Sequence, residues 1–289
     1  MRIVSFLQDG KQRIGCPKGD QIINLSIADP ELPTDLLSLL EAGPSAMEQA
    51  KHAAAHAGSD ALVASVDITY LPLITRSPKV ICIGRNYAAH AKEGGVEPPT
   101  YPEIFYRGNT SLIGHNQPIL RPECSDKLDY EAELVAIIGK RARHVSLENA
   151  LDYVAGYSIF NDATLRDYQR KSSQWTIGKN FDDTGAFGPE FVTADELPAG
   201  AHGLNIQTRL NGHVMQDANT RDFIFPIDDL VVKLSECMTL EPGDVIVTGT
   251  PAGVGYARNP PVFMKAGDLC EVEIEGIGVL SNPVQDEAR

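Results

Sequence analysis

The 289-residue chain has no cysteine framework, no basic surface and no long apolar run. Its five cysteines (Cys16, Cys82, Cys124, Cys237 and Cys270) are scattered, odd in number and never in C-x-x-C spacing. That argues against a disulfide scaffold and against a zinc knuckle. Lysine and arginine form no cluster and the formal net charge is −14, so neither nucleic acid nor an anionic membrane is expected as a partner. No apolar stretch reaches bilayer-spanning length. The opening Met1-Arg2-Ile3-Val4-Ser5-Phe6 turns polar too soon for a signal peptide. A soluble, reduced, cytoplasmic protein is therefore expected. Nucleotide fingerprints are missing as well: there is no Gly-Lys-Ser/Thr, and no G-x-G-x-x-G opens a helix. No serine or cysteine stands in a recognisable nucleophile setting.

What is present is 43% hydrophobic sequence, ample for one large or two unequal domains. Residues 1–27 alternate around Asp9-Gly10, a hairpin signal. Two short helices are expected next, one from Thr34 to Gly43-Pro44 and one opened by the capping-box pattern Ser45-Ala46-Met47-Glu48. A strand over Val66–Leu73 then leads to the proline-bearing linker Ile74–Pro78, so residues 1–74 are expected to form a small accessory domain. From residue 78 to 286 strands outnumber helices without regular alternation. That pattern predicts a β-rich α+β catalytic domain. Within it, Pro98, Pro99 and Pro102 forbid regular structure after the helical stretch Ala88–Glu93, the composition of a mobile lid.

Three constellations carry chemistry. Glu131 and Glu133 open the apolar strand Glu131–Ile138 and project to one side, about 7 Å apart along it. They form either a solvated strand end or two of the carboxylates of a cation site. Asp162 closes another strand, Tyr157–Asn161, and is either a helix N-cap or a third carboxylate. Three carboxylates on one hemisphere suit Mg²⁺ or Mn²⁺, with the remaining positions left to water and a chelating substrate. Arg166 and Gln169 follow Asp162 at i+4 and i+7, on one face if a helix runs through Ala163–Lys171. His90 and Glu93 sit at i, i+3, as a surface pair or as a dyad in which the carboxylate raises the basicity of the imidazole. Lys179 is either exposed or held among carboxylates to stabilise developing negative charge. Thr248-Gly249-Thr250-Pro251-Ala252-Gly253-Val254-Gly255 follows a strand and reads as a turn offering N–H and hydroxyl groups to a carboxylate.

Taken in order, these motifs resemble the fumarylacetoacetate hydrolase family. The matching residues are Ile83-Gly84-Arg85-Asn86-Tyr87-Ala88-Ala89-His90, Glu131-x-Glu133 and Asn161-Asp162-x-x-x-Arg166-Asp167-x-Gln169. Trp175-Thr176-x-x-Lys179 and Gly243-Asp244-x-Ile246-x-Thr248-Gly249-Thr250-Pro251-x-Gly253-Val254-Gly255 complete the series. The resemblance covers about residue 79 to the C-terminus. It implies a mixed β-roll, a homodimer, and an Mg²⁺ or Mn²⁺ site made by Glu131, Glu133 and Asp162. It also implies a water-activating His90–Glu93 dyad on a lid and a catalytic Lys179. Arg85, Tyr87, Arg166, Gln169 and Thr250 are implied to contact a small 2-oxo acid substrate. The leading expectation is hydrolysis of a carbon–carbon bond in an acylpyruvate or other 2,4-diketo acid. Decarboxylation of oxaloacetate, or tautomerisation or hydration of a 2-oxo-dienoate, uses the same site. One position departs from the pattern: Phe105-Tyr106-Arg107-Gly108-Asn109 stands where many relatives carry Phe-x-Lys-Pro. Arg107 is expected to face the distal end of the substrate as a bidentate carboxylate binder.

Overall fold

The strand Ala132–Ile138 is buried at every position because both of its faces are covered. Leu134, Ala136 and Ile138 enter a core shared with a five-stranded sheet and the helix Ile227–Cys237. Val135 and Ile137 point the other way, into a core with Leu36, Leu39 and Ala50 from the N-terminal helices. Glu131 and Glu133 share the alternation of Val135 and Ile137, so they emerge on that second face. The computed structural model describes residues 1–288 in this β-rich α+β arrangement.

Across the main sheet the strands run Leu62–Ala64, Gln21–Asn24, Lys11–Lys18, Arg2–Gln8, Gly185–Thr193, Val154–Asp162, Ala132–Ile138, Val245–Val247, Val80–Gly84 and Glu103–Arg107. The second sheet is ordered His213–Asn219, Asn205–Leu210, Leu269–Ile274, Gly278–Asp286 and Ile119–Arg121. The hairpin at Asp9-Gly10 forms as expected, between Arg2–Gln8 and Lys11–Lys18. Its first strand also pairs with Gly185–Thr193 (Arg2 opposite Val192, Ile3 opposite Phe191), so residues 1–74 and the segment from 78 onward share one sheet.

Several local expectations are corrected. The helix Pro44–Ala55 starts at Pro44 with Gly43 as its cap; Ser45 lies inside it and makes no capping box. Proline's fixed φ suits the first helical position, and that preference prevails over the box. The Val66–Leu73 strand shrinks to Thr69–Tyr70, preceded by a 3₁₀ turn at Ser65–Asp67. Instead of a helix through Ala163–Lys171 there is a two-residue strand, Thr164–Leu165, and a single helical turn, Arg166–Gln169. Asp162 is therefore the last residue of a strand and no N-cap.

His115 ties the two segments together. Its Nδ1 accepts the Ser281 N–H at 3.1 Å, and its ring stands edge-on to Tyr70 at 5.0 Å. Burial lowers its pKa from 6.5 to about 4. The folded chain thus binds fewer protons here than the unfolded one. The contribution is complete above about pH 6.5 and is lost as the pH falls toward about 4. Denaturant titrations of the native protein and of His115→Gln across this window should diverge by up to about 1.4 kcal/mol per pH unit. Parallel curves would show that His115 is not the titrating group.

Candidate metal and active site

The strand pairing that sets Ala132 opposite Asn161 brings Glu131 and Asp162 together. Asp162 N–H donates to the Glu131 carbonyl at 2.9 Å, and Glu131 N–H to Asn161 Oδ1 at 3.0 Å. Glu131, Glu133 and Asp162 are all buried, and one carboxylate oxygen from each lies within 4.8 Å of the others. The solvated strand-end reading is thereby excluded.

Cations of the chain surround two of the three. Lys179 Nζ lies 2.5 Å from Glu131 Oε2 and 2.6 Å from Asp162 Oδ2. Arg166 pairs with Glu131 at 2.6 Å and with Asp129 at 2.8 Å. Burial opposes charge on Glu131, yet Arg166, Lys179 and His90 hold its pKa down at about 2. Glu133 behaves oppositely. Burial, then the charges of Asp162 and Glu131, push its carboxyl well above the usual range. The Gly249 N–H, at 2.5 Å, is its hydrogen-bond donor. Gly249 has φ +102°, and a Cβ there would meet Asn86 Cβ at 2.7 Å and the Ile83 carbonyl at 2.9 Å, so only glycine brings its N–H this close. A buried carboxylate left without a cation beside two others is a donor set that fits a divalent ion on oxygen ligands.

His90 and Glu93 meet side chain to side chain: His90 Nδ1 is 2.8 Å from Glu93 Oε1. Glu93 Oε2 accepts the Gly253 N–H at 2.9 Å, so the short helix Ala88–Glu93 is tethered to the glycine turn. Beyond it, residues 94–102 carry no helix or strand. One cavity is lined by His90, the three carboxylates, Arg85, Arg166, Gln169, Lys179 and Thr250. Thr250 Oγ1 accepts from Gln216 Nε2 at 2.8 Å, which leaves its own proton free to donate. Arg85 reaches Glu103 at 3.0 Å, with its guanidinium 5.1 Å from the Trp175 ring centre.

Two expected substrate contacts lie elsewhere. Tyr87 is 2% exposed, packs edge-on against Phe223 and does not line the cavity. Arg107 is 3% exposed and also stands behind the site. Its guanidinium pairs with Asp162 Oδ1 and donates to Thr184 Oγ1 at 2.7 Å and Ser111 Oγ at 3.2 Å. Room for it exists because residue 185 is glycine; a Cβ there would meet the guanidinium at 2.8 Å. The arginine fork is satisfied inside the protein, so it orients a carboxylate of the site and meets no distal substrate group.

Sequence reading set Asp129 aside, because it lies outside the matching motif, and missed three further residues. Asp129, fully buried, accepts from the Gly255 and Tyr256 N–H groups at 2.7 and 3.0 Å while holding Arg166. Its place in the same alternation as Glu131 was the available signal. Gln216 joins Thr250 to the Ala132 N–H across two sheets and carried no signal. Arg170 and Tyr256 line the cavity, and Arg170 had only its adjacency to Gln169 to mark it.

The fold is a two-sheet β-rich roll, and its buried triad of carboxylates is compatible with a divalent cation on oxygen ligands. The chain belongs to the fumarylacetoacetate hydrolase family of enzymes: residues 79–285 match the fumarylacetoacetate (FAA) hydrolase C-terminal family. It is 41% identical over 290 residues to a Xenopus laevis mitochondrial oxaloacetate tautomerase, fahd2, covering 98% of this chain and 90% of that one. Among solved structures, a fumarylacetoacetate hydrolase from Exiguobacterium antarcticum superposes with TM-score 0.85 at 35% identity, over 99% of this chain and 100% of that one. A Sphingobium maleylpyruvate hydrolase in complex with manganese(II) and pyruvate gives 0.79 at 28% identity, over the full length of both chains. No helix among the described residues is long and apolar enough to cross a membrane. The cytoplasmic expectation draws no support from the mitochondrial relative.

Proposed function

We propose that this protein catalyses the enol–keto tautomerisation of oxaloacetate or a closely similar 2-oxo acid. The observation that carries the reading is the His90 imidazole. It is fixed through Nδ1 to Glu93 and lines a cavity shared with three carboxylates and Lys179. With Nδ1–H donated to Glu93, Nε2 is free to take a proton from the substrate and return it at another atom. Tautomerisation asks for nothing more than such a transfer, and the name of the Xenopus relative supports it. Bound by Glu131, Glu133 and Asp162, Mg²⁺ or Mn²⁺ would supply Lewis-acid polarisation to the oxygens of a 2-oxo acid head. Lys179 offers a fixed positive charge to developing enolate oxygen. Thr250, held by Gln216, presents its hydroxyl to the carboxylate.

Hydrolysis of an acylpyruvate, which sequence reading puts first, becomes the second reading. It is favoured by the Sphingobium hydrolase with manganese and pyruvate, and the same imidazole would deprotonate water. Purified protein with Mg²⁺ or Mn²⁺ is expected to accelerate ketonisation of enol-oxaloacetate, followed by its ultraviolet absorbance, and to lose that activity with a chelator. Failure there, with pyruvate released from acylpyruvates, would replace tautomerisation by hydrolysis.

A further inference from the structure

Among the cations lining the cavity, all but one are matched by a carboxylate. Arg166 is held by Asp129 and Glu131, Lys179 by Glu131 and Asp162, and Arg85 by Glu103. Arg170 is different. No carboxylate of the described residues lies within ion-pairing distance of its guanidinium, and the residue is exposed at the cavity's rim. Its contact is with an aromatic face: Cζ lies 4.6 Å from the centre of the Tyr256 ring.

That ring is itself held in place. The Tyr256 N–H donates to Asp129 Oδ2, and the Arg166 guanidinium also lies 4.6 Å from the ring centre. Tyr256 thus stands between a guanidinium committed to the carboxylate cluster and one that is uncommitted. Stacking on an aromatic face restrains an arginine without using its N–H donors. The result is a solvent-exposed guanidinium fork, restrained against the ring and without a carboxylate partner among the described residues, at the rim of a cavity whose inner end holds the three carboxylates.

We infer that Arg170 binds the distal carboxylate of the substrate and makes this site selective for 2-oxo dicarboxylic acids over monocarboxylic ones. The inference rests on the proposed reading, in which the 2-oxo acid head lies at the inner end. A planar carboxylate is the partner that matches a guanidinium fork with two parallel hydrogen bonds. Arg170 takes no part in proton transfer, so its effect falls on KM.

The test compares enol-oxaloacetate, a diacid, with enol-phenylpyruvate, a monoacid, on the native Mg²⁺-loaded protein, Arg170→Gln and Arg170→Lys. The native protein should prefer the diacid. In Arg170→Gln the ratio of kcat/KM for diacid over monoacid should fall roughly 10- to 100-fold, through KM. Arg170→Lys keeps the charge without the fork and should fall between. A ratio unmoved by Arg170→Gln, or no diacid preference in the native protein, overturns the inference. If neither enol is turned over, the tautomerase reading fails separately. Titration calorimetry with malate and lactate, which differ in the distal carboxylate, then decides Arg170. Malate binding weakened by Arg170→Gln relative to lactate supports the assignment; equal effects on both overturn it.

Discussion

Replacing His90 by alanine should lower turnover of enol-oxaloacetate by roughly 10²- to 10⁴-fold, with little change in KM. The imidazole is the group on the cavity wall whose geometry suits a proton carrier: its Nδ1 is committed to Glu93 at 2.8 Å, and Nε2 is left for substrate. Glu93→Gln should give a smaller loss, because an amide oxygen still accepts from Nδ1–H and keeps the ring oriented, although the carboxylate charge beside the ring is lost. Steady-state rates of the purified variants decide the matter. Activity of His90→Ala within roughly tenfold of the native value would mean that another group carries the proton.

Lys179→Met should cost the metal-free protein about 3–5 kcal/mol of stability. The ammonium is 2% exposed and lies between Glu131 and Asp162. Burial opposes its charge, but those two carboxylates hold its pKa above the usual lysine value. Without it, two buried carboxylates lose their shared partner beside Glu133, whose charge already lacks one. The remedy is another cation. Saturating Mn²⁺ should therefore raise the unfolding free energy of Lys179→Met more than that of the native protein, since less positive charge competes for the same oxygens. Chemical denaturation with and without chelator measures both quantities. An equal or smaller metal-induced gain in the variant would show that Lys179 and the metal do not share those ligands.

How much of this was legible in the chain depends on the range of the interaction. Glu131 and Glu133 could be read because strand alternation is local, and the apolar run that follows them fixes which face they take. His90 and Glu93 were equally local, one helical turn apart. Asp162 was read as closing a strand, and it does; the helix expected after it gives way because Thr164–Leu165 pairs with Leu128–Asp129, which outweighs the helical spacing of Arg166 and Gln169. Arg107 was misread for a related reason. A guanidinium beside a predicted lid resembles a substrate ligand until the fold shows Ser111, Thr184 and Asp162 converging on it. Gln216 was beyond reach altogether, because its role exists only once the second sheet packs against Ala132. The union of residues 1–74 with the main sheet rests on Ile3 meeting Phe191, a contact that no local pattern announces.

The space that Gly185 leaves for Arg107 makes the two positions a single unit of variation. A Cβ at 185 would come within 2.8 Å of the Arg107 guanidinium, so a side chain there requires that guanidinium to shift. Because that guanidinium bears on Asp162, drift at either position is felt at a ligand of the proposed metal site without any ligand changing identity. Members of the family can therefore differ in how firmly they grip a cation while displaying the same three carboxylates, and a survey of ligand residues alone would class them as identical.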